Sequence, residues 1–177
     1  ALQSIQCIPK NSKIIVVIGL GLLGQVTVRI LKALGYQCLA YDLDSEKVNL
    51  AEKHGAIGIH NNKITETVLD YSQGKGADCT IISAATSSNA VVNQATTYTK
   101  VNGKIISSGV IGLNLIREKF FKKQIELVVS NSSGNKNHKK KGSSHENISM
   151  FFEFFSLKKI QITDLISDVA SFENPND

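Results

Sequence analysis

The sequence predicts an α/β fold: a doubly wound, six-stranded parallel sheet with strand order 3-2-1-4-5-6. Two observations carry this. Short apolar runs rich in β-branched residues alternate along the chain with amphipathic helical stretches. A helix-length segment separates most consecutive runs, which suits parallel pairing by crossover and not hairpins.

Residues 13–18 (KIIVVI) form the first strand, bounded by Asn11-Ser12 and Gly19, with apolar side chains on both faces as a buried parallel strand needs. Residues 22–34 (LLGQVTVRILKAL) form a helix, since Leu23, Val26, Ile30 and Leu34 recur three or four apart; Gly35 stops it. The second strand is 37–42 (QCLAYD). Ser45 is the expected N-cap of a helix over 45–53, ended by Gly55. A short third strand over 58–60 and a helix over 64–71 come next. The fourth strand is 78–84 (DCTIISA), followed by a helix over 89–99. The fifth is 104–108 (KIISS) and the sixth 125–130 (IELVVS). Residues 131–147 are rich in Ser, Asn, Lys and Gly, which predicts a loop. Residues 148–157 (ISMFFEFFSL) predict a helix, and 160–166 (IQITDLI) a short strand or a turn.

At 177 residues the chain suits one domain with a proper core. The apolar run 14–23 is interrupted by two glycines and falls short of the roughly 20 residues of a membrane helix. No basic leader with a cleavage site opens the chain, so a cytoplasmic location is expected. Cys7, Cys38 and Cys79 form no C-x-x-C pair; Cys38 and Cys79 lie in apolar runs and are expected as buried thiols. Part of the net charge of +5 gathers at Lys136, His138, Lys139, Lys140 and Lys141. No aromatic residue interleaves with them to stack on bases, so nucleic acid is not an expected partner.

Gly19-Leu20-Gly21-Leu22-Leu23-Gly24 is a G-x-G-x-x-G sequence, and it lies directly between a strong strand and a strong helix. In that place Gly19 makes the tight turn, Gly21 lets the backbone approach a pyrophosphate, and Gly24 lets helix and strand pack closely. Gly19, Gly21, Leu22, Leu23 and Gly24 are therefore candidate contacts of a dinucleotide at the positive end of the helix. Asp42, at the end of the second strand, can accept hydrogen bonds from the adenosine ribose and would repel the extra phosphate of NADP. Lys47 either lies along that ribose or faces solvent. Asp44 is the competing carboxylate, expected to cap the turn. The nicotinamide end belongs at the switch point, which nominates Ser83, Ala84, Ala85 and Thr86 after strand four and Gly109 and Val110 after strand five. The cofactor expected is NAD(H). No Cys/His/Asp cluster has zinc-ligand spacing, and neither catalytic residues nor a proton relay is identified.

Residues 17–25 (VIGLGLLGQ), 40–56 (AYDLDSEKVNLAEKHGA), 74–85 (GKGADCTIISAA) and 102–112 (NGKIISSGVIG) resemble, in order, the Rossmann cofactor lobe of zinc-type medium-chain dehydrogenases, the alcohol, sorbitol and threonine dehydrogenases among them. Residues 109–134 resemble a bi-domain oxidoreductase subgroup of that family. The resemblance implies that residues 1–12 lead in from a catalytic lobe, 13–130 form the NAD-binding domain, 131–147 a polar loop and 148–177 a helix and return segment. It further implies that zinc and an alcohol or carbonyl substrate belong to that other lobe, and that this chain alone is inactive. A nucleotide-sensing regulatory domain of a transport system is the alternative, sharing the pattern of residues 14–55. The sixth strand, 125–130, is a candidate edge for pairing with a second copy.

Overall fold

The computed structural model describes residues 1–60, 62–131 and 144–168. Its elements in chain order are α1 (Leu2–Gln6), β1 (Ile14–Ile18), α2 (Leu22–Ala33), β2 (Gln37–Tyr41), α3 (Ser45–Lys53), β3 (Ile57–Ile59) and α4 (Ile64–Tyr71). There follow β4 (Ala77–Ile82), α5 (Ala90–Tyr98), β5 (Thr99–Ser107), α6 (Arg117–Lys123), β6 (Glu126–Val129), α7 (Ser144–Ser156) and a 3-10 turn at Thr163–Leu165. The six strands form one sheet in the order β3-β2-β1-β4-β5-β6, every pair parallel. The basic stretch at Lys136, His138, Lys139, Lys140 and Lys141 lies outside the described residues, as does the end of the expected return segment from 169 onwards.

Strand alternation divides the core into two layers. Ile15 and Val17 of β1 pack with Val28 and Leu31 of α2 and with Val48 and Ala51 of α3, on the face that also holds α1 and α7. Val16 and Ile18 point the other way, toward Ile64 and Val68 of α4 and Val92, Ala95 and Tyr98 of α5. Covering both faces explains why β1 reads as an uninterrupted apolar run. Cys38 and Cys79 are buried in the first layer, and burial pushes the Cys38 thiol up to about 12.

Several boundaries differ from expectation, each for a local reason. Asp44, not Ser45, is the N-cap of α3: its carboxylate accepts the Glu46 N–H at 3.0 Å. β5 starts at Thr99, because the left-handed Asn102 shifts the register against β4 and lets the strand continue past the irregularity. Helix α6 is not apparent in the sequence, because none of its residues is buried and it presents no apolar stripe. Helix α7 begins at Ser144, inside the expected loop. The segment 160–166 is a turn and not a strand, anchored by the buried Ile160.

Candidate functional site

The chain leaves β1 through a turn that only glycine can make in two of its places. Gly19 has φ +85°, its N–H donates to the Tyr41 carbonyl at 2.9 Å, and a Cβ there would fall 2.4 Å from the Ala84 nitrogen. A Cβ on Gly24 would fall 1.9 Å from the Gly19 oxygen, so α2 can lie this close to the turn only without a side chain. Gly21 differs. It is the N-cap of α2, and a Cβ there would meet nothing within 4 Å. The packing of this chain leaves that position free, and it opens onto the amino end of α2.

No side chain caps α2 and its first turn holds no acidic residue. The first N–H groups of an α-helix have no partner within the helix, and its dipole adds positive potential there. The end of α2 thus has no side-chain partner for its amide groups and carries positive potential suited to an anion, with Leu22 and Leu23 exposed beside it.

Asp42 stands at the adjoining corner. Its Oδ2 accepts the Leu20 N–H at 2.6 Å and its Oδ1 accepts the Asp44 N–H at 3.0 Å. One carboxylate therefore ties the glycine turn to the start of α3, and each oxygen keeps acceptor capacity for a ligand hydroxyl. Lys47 reaches Asp44 at 3.4 Å. The Glu46 amide, aided by Lys47, holds the Asp44 carboxyl below its ordinary range. Beyond Asp42 a cleft of about 190 Å³ opens between Tyr41, Leu43, Ile59, His60 and Asn62. The Tyr41 hydroxyl bonds Asn62 Oδ1; burial and then Asp42 push the phenol up. Sequence reasoning missed these neighbours, although each lies at or just beyond the carboxyl end of β2 or β3, where ligands of such sheets bind.

The loops after β4 and β5 are joined at the switch point. Ser83 N–H donates to Ile18 O at 2.7 Å, and Ser108 and Gly109 N–H both donate to Ile82 O. Thr86 N–H donates to Val110 O at 2.9 Å, and Gly112 N–H donates to Thr86 O at 3.1 Å. A Cβ on Gly109 would fall 2.0 Å from Ala84 O, so Gly109 is required by the packing. Ala84 is pressed against Gly19, whereas Ala85 and Val110 are exposed at the mouth. The Ser83 hydroxyl is buried without a hydrogen-bond partner. The structure thus gathers Gly19, Gly21, Gly24 and Asp42 around one turn, and Ser83, Ala84 and Gly109 beside it.

Next to this crevice, Ser4 of α1 reaches the sheet. Its Oγ lies 2.5 Å from Ser108 Oγ and 3.1 Å from Ser130 Oγ, at a cleft of about 380 Å³ that Leu23, Gly109 and Val110 also line. No sequence pattern marks that trio, since its members lie far apart in the chain.

A larger cleft, about 550 Å³, opens at the amino ends of the strands near Lys13, Gln37, Tyr71 and Lys100. Its carboxylate is already committed. Asp78 Oδ2 accepts the Lys13 and Ile14 N–H groups, each at 2.8 Å, and Oδ1 pairs with Lys100. Burial disfavours the charge on Asp78, but Lys100 and the two amides outweigh it and hold the carboxyl low. Among the described residues no three His, Cys, Asp or Glu side chains lie together to hold a metal ion, and no helix is long and apolar enough to cross a membrane.

The sequence model of the zinc-binding dehydrogenase family matches residues 23–150. No curated protein sequence matches the chain. Among solved structures, D-arabinose dehydrogenase from Sulfolobus solfataricus superposes with a TM-score of 0.75 at 19% identity, over 90% of this chain and 48% of its own. An alcohol dehydrogenase from Thermus sp. ATN1 gives 0.73 at 20% identity, over 93% and 46%. Acetophenone reductase from Geotrichum candidum, in complex with NAD, gives 0.71 at 21% identity, over 90% and 42%. At these identities the likeness is one of fold, and the chain spans about half the length of the structures it matches.

Proposed function

The chain belongs to the zinc-binding dehydrogenase family, and from that premise we propose that it is the NAD(H)-binding lobe of a hydride-transferring oxidoreductase. One observation carries the proposal: Gly21 is a glycine that the chain's own packing does not need, at an uncapped helix end beside Asp42. The residues fit the cofactor. The amide groups at the start of α2 would hold the pyrophosphate, with Gly21 leaving room for it. Asp42 would accept the adenosine ribose hydroxyls, and Lys47 stands one turn away, engaged with Asp44. Ser83, Ala84, Ala85, Gly109 and Val110 would line the nicotinamide end, where the buried Ser83 hydroxyl lacks a partner. When bound, the nicotinamide supplies a site that takes or gives hydride.

Among the described residues no three His, Cys, Asp or Glu side chains lie together to hold the family's zinc, which is proposed to belong to the other lobe. The alcohol or carbonyl substrate is proposed to meet the cofactor from another lobe, and this chain alone is expected to turn over none. The family match favours this reading over a regulatory nucleotide sensor. The edge strand β6 is proposed to pair with a second copy. Light scattering should then show association rising with concentration, and a monomer throughout would refute the pairing.

Calorimetric titration with NADH and NADPH tests the cofactor reading. A 2′-phosphate brought against Asp42 adds like-charge repulsion, so NADH should bind on the order of a hundredfold tighter. In Asp42→Ala that preference should shrink. Equal affinities in the unaltered chain would refute the role of Asp42.

A further inference from the structure

Arg29 is a cation inside the protein. It lies on the face of α2 turned away from solvent and is 3% exposed. Arginine is seldom buried without a carboxylate partner, and here the partner comes from 135 residues away. Arg29 Nη2 donates to both oxygens of Asp164, at 3.1 and 2.9 Å. Nη1 donates to the Gln25 carbonyl at 3.1 Å and to Gln25 Oε1 at 2.9 Å. That second bond decides which way the buried Gln25 amide faces. Its Nε2 then donates to the Lys47 carbonyl at 2.7 Å, in the first turn of α3.

The same carboxylate reaches α3 a second time. Asp164 Oδ2 lies 2.6 Å from Nε2 of His54, the C-cap residue of that helix. The amino end of α3 is thus tied to α2 directly by Gln25, whose amide Arg29 orients. Its carboxyl end is tied to Arg29 through Asp164 on the turn Thr163–Leu165, itself moored by the buried Ile160. Burial opposes the charge on Asp164, but the His54 bond and the Arg29 charge prevail and hold its carboxyl low. At its amino end α3 follows directly from Asp42 and carries Asp44 and Lys47. Through the Asp44 N–H on Asp42 Oδ1, the placing of α3 bears on how the acidic corner faces the glycine turn, which Asp42 also holds through the Leu20 N–H.

We propose that Asp164, Arg29 and Gln25 form a positioning relay through which the carboxyl-terminal segment sets the geometry of the ribose-binding corner. This rests on the cofactor reading above, and it adds that affinity for the adenosine half depends on residues that never touch it. Asp164 and Arg29 are positioning residues. The Arg29 fork is suited to the task, because one planar group serves Gln25 and Asp164 together.

The test separates positioning from mere stability. Arg29 is buried but the Asp164 side chain is 32% exposed, so the double variant Arg29→Met/Asp164→Leu does not simply remove two buried charges. It leaves the buried Gln25 amide without the donor that orients it, and its melting temperature should fall modestly. Binding and exchange are therefore read well below that transition. NADH, titrated by calorimetry into the full chain, should bind about tenfold weaker. The Val48 amide, which donates to Asp44 O at 3.3 Å in the first turn of α3, should exchange its hydrogen faster. Asp164→Asn, nearly isosteric, should shift both readouts the same way by less, and it decides the matter if the double variant does not fold. Unchanged NADH affinity with unchanged exchange at Val48 would overturn the relay. Absence of NADH binding by the unaltered chain would overturn the cofactor reading instead, and exchange at Val48 would then decide the relay alone.

Discussion

The two ends of the sheet place a carboxylate in contrasting circumstances. At the amino end Asp78 binds two backbone amides and a lysine, and a cleft of about 550 Å³ beside it holds no uncommitted buried polar atom among the described residues. At the carboxyl end the space beside Asp42 is smaller, yet groups there are left over: the amides at an uncapped helix, the Ser83 hydroxyl, and the second lone pairs of Asp42. Unspent hydrogen-bonding capacity, and not volume, is what separates the two ends and what the proposed binding of a ligand would use. One carboxylate closes the fold, and the other is proposed to meet a ligand.

The contrast makes opposite demands on the two residues. Asp78→Ala strands the Lys13 and Ile14 amides, so it should cost about 2 kcal/mol in denaturant unfolding. NADH affinity should stay unchanged. Loss of affinity without loss of stability would reverse the assignment of the two ends.

Acid offers a milder form of the same comparison. The carboxyls of Asp78, Asp44 and Asp164 are all held low in the folded chain. A depressed carboxyl contributes stability above the unfolded value, near pH 4, and loses it as pH falls through the folded one. The melting temperature should thus be level from neutral pH to about pH 5 and fall below about pH 4. In Asp78→Asn that fall should be shallower, since the lysine and amides facing position 78 no longer distinguish two charge states. An equally steep fall in the variant would remove Asp78 from the acid response.

The fold was legible for reasons the structure makes plain. Strands buried on both faces must be apolar throughout, and residues 13–18 could be read at sight. Helix α2 was legible from its apolar spacing, although it is covered nearly all round. Between residues 24 and 31 only Val26 is not fully buried, while Leu23 and Leu34 of the expected stripe are exposed. Helix α6 has no such spacing and was missed. The glycine turn was legible because Gly19 takes φ +85° and Gly24 meets the Gly19 carbonyl five residues back, both local matters; the pressure of Ala84 on Gly19 comes from far along the chain and was not. Arg29 was not, since arginine in a helix normally reads as a solvent-facing residue and its partner Asp164 is fixed only by tertiary packing. The Ser4, Ser108 and Ser130 contact escaped for the same reason.

If the space at Gly21 is kept for a pyrophosphate, a pair of alanine variants will separate it from the packing glycine beside it. Gly24→Ala forces a methyl group into the Gly19 carbonyl and should destabilise the fold by about 3 kcal/mol. Gly21→Ala meets no protein atom at a backbone conformation, φ −66° and ψ −170°, that alanine adopts freely. It should keep or slightly raise the melting temperature, yet weaken NADH binding by an order of magnitude or more, about 1.4 kcal/mol for each tenfold. If Gly21→Ala melts as the unaltered chain does and binds NADH equally well, the cofactor does not lie across the end of α2, and the account is wrong.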